Sequence, residues 1–134
     1  MRSNFRIAAG VLAMLLFATI TLVAHHSNAA QFDAAKRITL KGEITKIEWT
    51  NPHAWFYIDV KDQAGQVTNW GLEMGSPNGL MRNGWTRNSM KIGHEVTVEG
   101  SRARDGSNHA NARAVVLKAT GQKLFAASSQ GQQP

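Results

Sequence analysis

The most chemically capable stretch of this chain puts an imidazole among indoles and a phenol: Trp49-Thr50-Asn51-Pro52-His53-Ala54-Trp55-Phe56-Tyr57. An imidazole can ligate a metal or exchange a proton near neutral pH. Indole and phenol rings stack on planar ligands. Asn51-Pro52 reads as a turn and Ala54 as the start of a strand. Along that strand side chains alternate, so Ala54, Phe56, Ile58 and Val60 form an apolar face while Trp55, Tyr57, Asp59 and Lys61 face the other way. The candidate ligand-binding residues are therefore Asn51, capping the turn, His53 at the strand's entrance, and Trp55 and Tyr57 on its outer face. Arg87 offers basic support. The competing reading has the His53 ring bonding a backbone carbonyl and holding the turn, with Phe32 covering the two aromatics.

A second constellation is the set of five histidines, His25, His26, His53, His94 and His109. Imidazole suits copper, zinc and nickel. His25, His26 and His53 are the candidate metal set, with copper the one cofactor considered, because a chain beginning at His25 would offer a free amine beside its ring. No His-x-x-x-His or His-Glu-x-x-His spacing supports it. The chain has no cysteine, which removes thiolate ligands, cysteine nucleophiles and disulfides. It also lacks a Gly-x-Ser-x-Gly elbow, a phosphate loop and a dinucleotide fingerprint. Asp59, Asp62 and Glu73 are the acidic residues available for acid/base work, and each reads more simply as a turn residue or a solvated charge. The expectation is a non-enzymatic protein.

The elements that position these groups follow from the hydrophobic period. A long first strand runs from about Ile38 to Trp49, and its alternation slips by one at Thr45-Lys46, as a β-bulge would make it do. A second strand runs from Ala54 to Lys61. Asp62-Gln63-Ala64-Gly65 is a hairpin turn, and a third strand spans Gln66 to Met74 with Trp70, Leu72 and Met74 inward. Ser76 is an N-cap and Pro77 a first helical residue, predicting a short helix that Gly84 ends, with a second short turn from Thr86 to about Met90. Strands Glu95–Arg102, Ala110–Lys118 and Lys123–Ala126 complete the pattern. Three strands, a helical insert and two or three more predict an all-β, OB-like barrel of five or six strands.

Ahead of this domain, Arg2 and Arg6 precede an uncharged, mostly apolar run from Ile7 to Ala24, and Ser27-Asn28-Ala29 offers small residues for cleavage. That is the pattern of a secretory signal peptide, with cleavage after Ala24 or Ala29 both open. The expected organisation is a signal peptide over 1–29, a lead-in over 30–37, the OB-like domain over 38–127 and a disordered tail over 128–134. The protein is expected to be periplasmic or secreted, with no membrane span once the leader is removed. Losing Arg2 and Arg6 lowers the formal charge from +6 to +4, and the remaining excess lies in the second half of the chain. Such asymmetry suits an anionic ligand or surface; nucleic acid is a poor partner for an exported chain, and a protein partner stays open.

The blocks His25-His26-Ser27, Gln31-Phe32-Asp33, Trp49-Thr50-Asn51-Pro52-His53-Ala54-Trp55, Gly75-Ser76-Pro77-Asn78, Gly84-Trp85-Thr86-Arg87-Asn88-Ser89 and Asp105-Gly106-Ser107-Asn108 resemble a bacterial family of small exported proteins of unknown function. The resemblance covers nearly all of the chain after the leader, and it implies export and a compact β domain without an activity. Asn28 departs from it, standing where the family carries an aromatic after His-His-Ser. The function expected is an exported binding module that takes a small or anionic ligand at the barrel mouth, with periplasmic copper binding through His25, His26 and His53 as the alternative.

Overall fold

The computed structural model describes residues 31–127, and the compact unit begins at Phe32. The stretch expected to be a signal peptide, His25, His26 and the tail over 128–134 lie outside the described residues. Six strands and one short helix follow in order: β1 Phe32–Glu48, β2 Trp55–Lys61, β3 Val67–Glu73, α1 Pro77–Arg82, β4 Glu95–Ala103, β5 His109–Leu117 and β6 Lys123–Phe125. The hydrogen-bonded order is β3-β2-β1-β4-β5-β6. The neighbouring pairs are antiparallel, and a parallel pairing of β3 with β5 closes the sheet into a ring.

β1 belongs to both halves of the ring, pairing with β2 through its C-terminal part and with β4 through its N-terminal part. A strand that bends between two partners needs local relief. The register with β2 shifts between Ile44 and Lys46, where the slipped alternation predicts a bulge. Gly42 supplies the rest: a Cβ there would sit 2.4 Å from the Asp59 carbonyl oxygen, so only glycine allows β2 to approach this closely. β1 also starts earlier than its pattern suggests. The stretch expected as a lead-in is strand from Phe32, although it pairs irregularly with β4 between Phe32 and Arg37. Phe32 is buried opposite Ala103, and that burial gives an otherwise unpatterned segment its reason to pair.

The ring encloses the core. Phe56, Ile58, Leu72 and Met74 are fully buried, as their alternation requires, and Val96, Val98, Ala112 and Val115 meet them from β4 and β5. α1 closes one end. The Ser76 hydroxyl accepts from the Gly79 amide at 3.2 Å, Pro77 fills the first turn, and Gly84 just beyond the helix takes a positive φ of 89°. Leu80 and Trp85 then plug the core, the Trp85 indole donating to the Phe125 carbonyl at 2.8 Å. The stretch from Thr86 to Met90 is a short turn, held by Thr86 and Ser89.

Candidate functional site

β2, β3 and β5 lie side by side, so their outward side chains form rows across three strands. One row is Trp55, Glu73 and Asn111, and the next is Tyr57, Gly71 and His109. Lys46 and Glu48, opposite Tyr57 and Trp55 on β1, extend the face. The site is the surface these rows make, with His53 at its end just before β2.

Glu73 is its centre. The residue is 3% exposed, the only charged one counted with the buried set among the described residues. Its Oε1 lies 3.0 Å from His53 Nδ1, and Asn111 Nδ2 donates to the same oxygen at 3.4 Å. A carboxylate this far from water needs such partners, because burying it bare would cost several kcal/mol. A carboxylate accepts only, so the proton of a neutral His53 ring sits on Nδ1 and its Nε2 carries the lone pair. The imidazole keeps 29% of its side chain in solvent. An oriented ring backed by a buried acid thus opens onto the surface.

His109 occupies the gap left by Gly71. A Cβ at position 71 would lie 2.6 Å from the His109 ring and 3.2 Å from the Tyr57 ring, so glycine lets both rings close over β3. The His109 ring meets the Trp55 indole edge-on, with centroids 6.0 Å apart and planes at 87°. Its Nδ1 is 3.0 Å from the Ser107 hydroxyl, and Asp105 holds the Ser107 amide at 2.9 Å. Hydrogen bonds from Ser107 hold the Asp105 carboxyl below the ordinary range.

Tyr57 donates to Glu48 Oε2 at 3.2 Å and lies under the Lys46 ammonium, 5.1 Å from the ring centroid. Burial, then the neighbouring Glu48 charge, raises the Tyr57 phenol above 10. Lys46 and Glu48 form an ion pair at 2.6 Å, which raises the lysine and lowers the acid. Asn69 donates to Asp59 Oδ1 at 2.7 Å at the far end of the face.

The structure therefore brings His53, Trp55 and Tyr57 onto one surface and treats the other expected residues differently. Asn51 is exposed, the Asn51–Pro52 peptide is cis, and among the described residues the Asn51 side chain makes no hydrogen bond, so its capping role is not seen. Arg87 is exposed and lines a recess of about 610 Å³ with Ile47, Glu48, Trp49 and Thr50, adjoining the aromatic face only through Glu48. The His53 ring engages a side-chain carboxylate rather than a backbone carbonyl. Phe32 pairs at Ala103, and the ring found against Trp55 is His109. Glu73 is a buried partner, not a solvated charge.

Half of the basic residues in the second half of the chain are occupied. Lys118 pairs with Glu95, Lys123 with Glu99 at 3.0 Å, and Arg104 with Asp33 at 4.0 Å; Arg102 lies over Trp70 at 5.3 Å. The outer face of β2, β3 and β5, with the adjoining end of β1, carries Glu48, Asp59 and Glu73 together with Lys46 and Lys61, and Arg113 follows on β5. Among the described residues no three histidine or acidic side chains are gathered as a preformed cation site, and no helix is long and apolar enough to cross a membrane.

Gly71 and Asn111 are the site residues that sequence reasoning left out, while Glu73 and His109 entered it among the acidic residues and the five histidines. Gly71 carried the one available signal, a glycine at an outward position of a strand beside aromatics, which marks close approach. Comparison with curated proteins finds no match. A family profile described as a family of unknown function (DUF6152) matches residues 13–112; these cover β1 to β4 and the first residues of β5, with His53, Trp55, Tyr57, Glu73, His109 and Asn111 among them, and the chain belongs to that family.

Proposed function

We propose that this protein is an exported, non-enzymatic binding module, built as an OB-like barrel, that takes a small ligand on the outer face of β2, β3 and β5. The ring order, with β1 shared and β3 parallel to β5, supports the barrel reading. Strands two and three are where such barrels receive ligands. The apolar run and cleavage pattern of the leader support export to the periplasm or beyond.

The observation that carries the reading is a charge out of solvent with a partly exposed imidazole fixed on it: Glu73, 3% exposed, 3.0 Å from His53. Such a pair adds little to stability compared with apolar packing. Its use is to hold the His53 ring in one orientation beside the half-buried Trp55. His53 orients or coordinates, Trp55 and Tyr57 stack, and the Glu73 carboxylate at the centre of the face favours a ligand with cationic character over the anionic one that overall charge suggests.

Replacing His53 and Trp55 singly by Ala tests this. Mature protein taken from its own compartment is examined by native mass spectrometry for what accompanies it. The expected result is that both variants keep the β-sheet circular dichroism and lose the bound species. Retention of that species by both folded variants would place the site elsewhere. Copper binding through His25, His26 and His53 is the second reading, favoured by the free Nε2 of His53; the first two residues lie outside the described part of the chain.

A further inference from the structure

We propose that the ligand of this face is a divalent transition-metal ion held by the Nε2 atoms of His53 and His109. The proposal rests on the reading above that the face of β2, β3 and β5 is the binding site, and it adds a ligand class and a residue, His109, to it.

Three observations carry it. First, both rings are secured through Nδ1, His53 by the Glu73 carboxylate and His109 by the Ser107 hydroxyl, each at 3.0 Å. Among the described residues neither Nε2 has a hydrogen-bond partner. That is the arrangement of ligating histidines, which donate one ring N–H to an acceptor and give the other nitrogen to the metal; in His109 it has the Ser107 hydroxyl accepting from Nδ1. Second, the rings lie on the same face of β3, one at Glu73 and the other at Gly71. Residues two apart on a strand face the same way about 7 Å from each other, within the swing of two imidazoles. Gly71 makes this possible, because any side chain there would expel the His109 ring. Third, the charged group in contact with the His53 ring is the Glu73 carboxylate, and a negative charge there favours a cation.

The donor set selects the metal. Neutral imidazole nitrogen suits copper, zinc and nickel, whereas calcium and magnesium prefer oxygen. Two imidazoles leave positions for water or a further donor, so the site is open rather than closed. Glu73 is a positioning residue in this scheme: it fixes the His53 tautomer and the orientation of its ring.

Copper(II) is the probe, titrated into the mature full-length protein and followed by calorimetry and by quenching of indole fluorescence, since Trp55 contacts the His109 ring. The His53→Ala and His109→Ala variants are expected to lose affinity at least as far as the roughly 100-fold typical of disturbing a metal site's supporting shell, and Glu73→Gln about 10- to 100-fold. Gly71→Ala is expected to weaken binding with the other side chains untouched. If an alanine variant fails to fold, the wild-type protein still decides: substoichiometric copper broadens the ring proton signals of His53 and His109 before those of His94. Copper binding undiminished in a folded His53→Ala/His109→Ala double variant overturns the proposal. So does equal broadening at His94, no copper binding by wild type, or loss of binding only when His25 and His26 are replaced. A protein that ignores copper, yet sheds its co-purified species on His53→Ala, would retire the metal and leave the binding module standing.

Discussion

The outer face of β2, β3 and β5 and the outer face of β4, β5 and β6 use charge in opposite ways. On the second, Lys118 with Glu95 and Lys123 with Glu99 pair across strands while about half of each side chain, or more, stays in water. Pairs of that kind add little, because solvent screens them and long side chains lose freedom in forming them. On the first, Glu73 gives up nearly all its hydration and recovers it through His53 and Asn111. A fold under no further demand would place an apolar residue at that position. The difference teaches that the count of charges, which points to the basic half, is a poor guide to where a site lies; what counts is where a charge is held against its own solvation.

The sharpest way to break this contrast is to remove the carboxylate. Glu73→Ala leaves His53 and Asn111 facing a cavity where an acceptor stood, and it should destabilise the domain by about 2–4 kcal/mol, read from urea unfolding midpoints. A loss below about 1 kcal/mol would put Glu73 in the same class as Glu95 and Glu99 and dissolve the distinction. Gly71→Val is the next step down. Its branched side chain meets the His109 and Tyr57 rings, and overpacking of this kind should cost about 1–3 kcal/mol. If His109 can swing out, the cost falls toward the lower figure, and the His109 ring resonances should shift with it.

On the other face the effects are small. Lys118→Ala and Lys123→Ala should each change stability by less than about 1 kcal/mol, and the change should shrink in high salt. A salt-insensitive loss of several kcal/mol in either would show that these pairs carry more than solvated surface.

How much of this was readable beforehand depends on the range of the interaction. The bulge after Ile44, the Asp62–Gly65 hairpin and the Ser76-Pro77 helix start are local, and alternation, turn chemistry and capping gave them. The inward faces of β2 and β3 were legible for the same reason. Phe32 was missed as a strand residue because its partner, Ala103, lies some 70 positions on. Glu73 looked solvated because alternation shows that a side chain points outward without showing what stands over it. The pairing of β3 with β5 brings Asn111 and His109 there, and no periodicity in either strand encodes it. Half of the site was therefore visible as a cluster around His53, and the other half existed only once the ring closed.

Tyr57 offers the finest measurement, because it is the only tyrosine in the chain and its titration can be followed through tyrosinate absorbance without ambiguity. Burial is the largest cause of its raised pKa and the Glu48 charge the next, while Lys46 acts in the opposite direction. The phenol should therefore titrate above 10 in the folded protein. Glu48→Gln should bring the value down without returning it to 10, because burial persists, and Lys46→Ala should raise it further. The linkage has a definite sign. A pKa raised on folding means the folded state holds the proton more tightly, so this group's contribution to stability is complete below the ordinary tyrosine value and fades as pH climbs through the folded one. Glu48 runs the other way: lowered chiefly by Lys46, its contribution stands above the ordinary carboxylate range and fades as pH falls through the folded value. A phenol in folded protein titrating at or below 10 would mean that Tyr57 faces open water, and the aromatic floor drawn here beneath His109 would then lack one of its two rings.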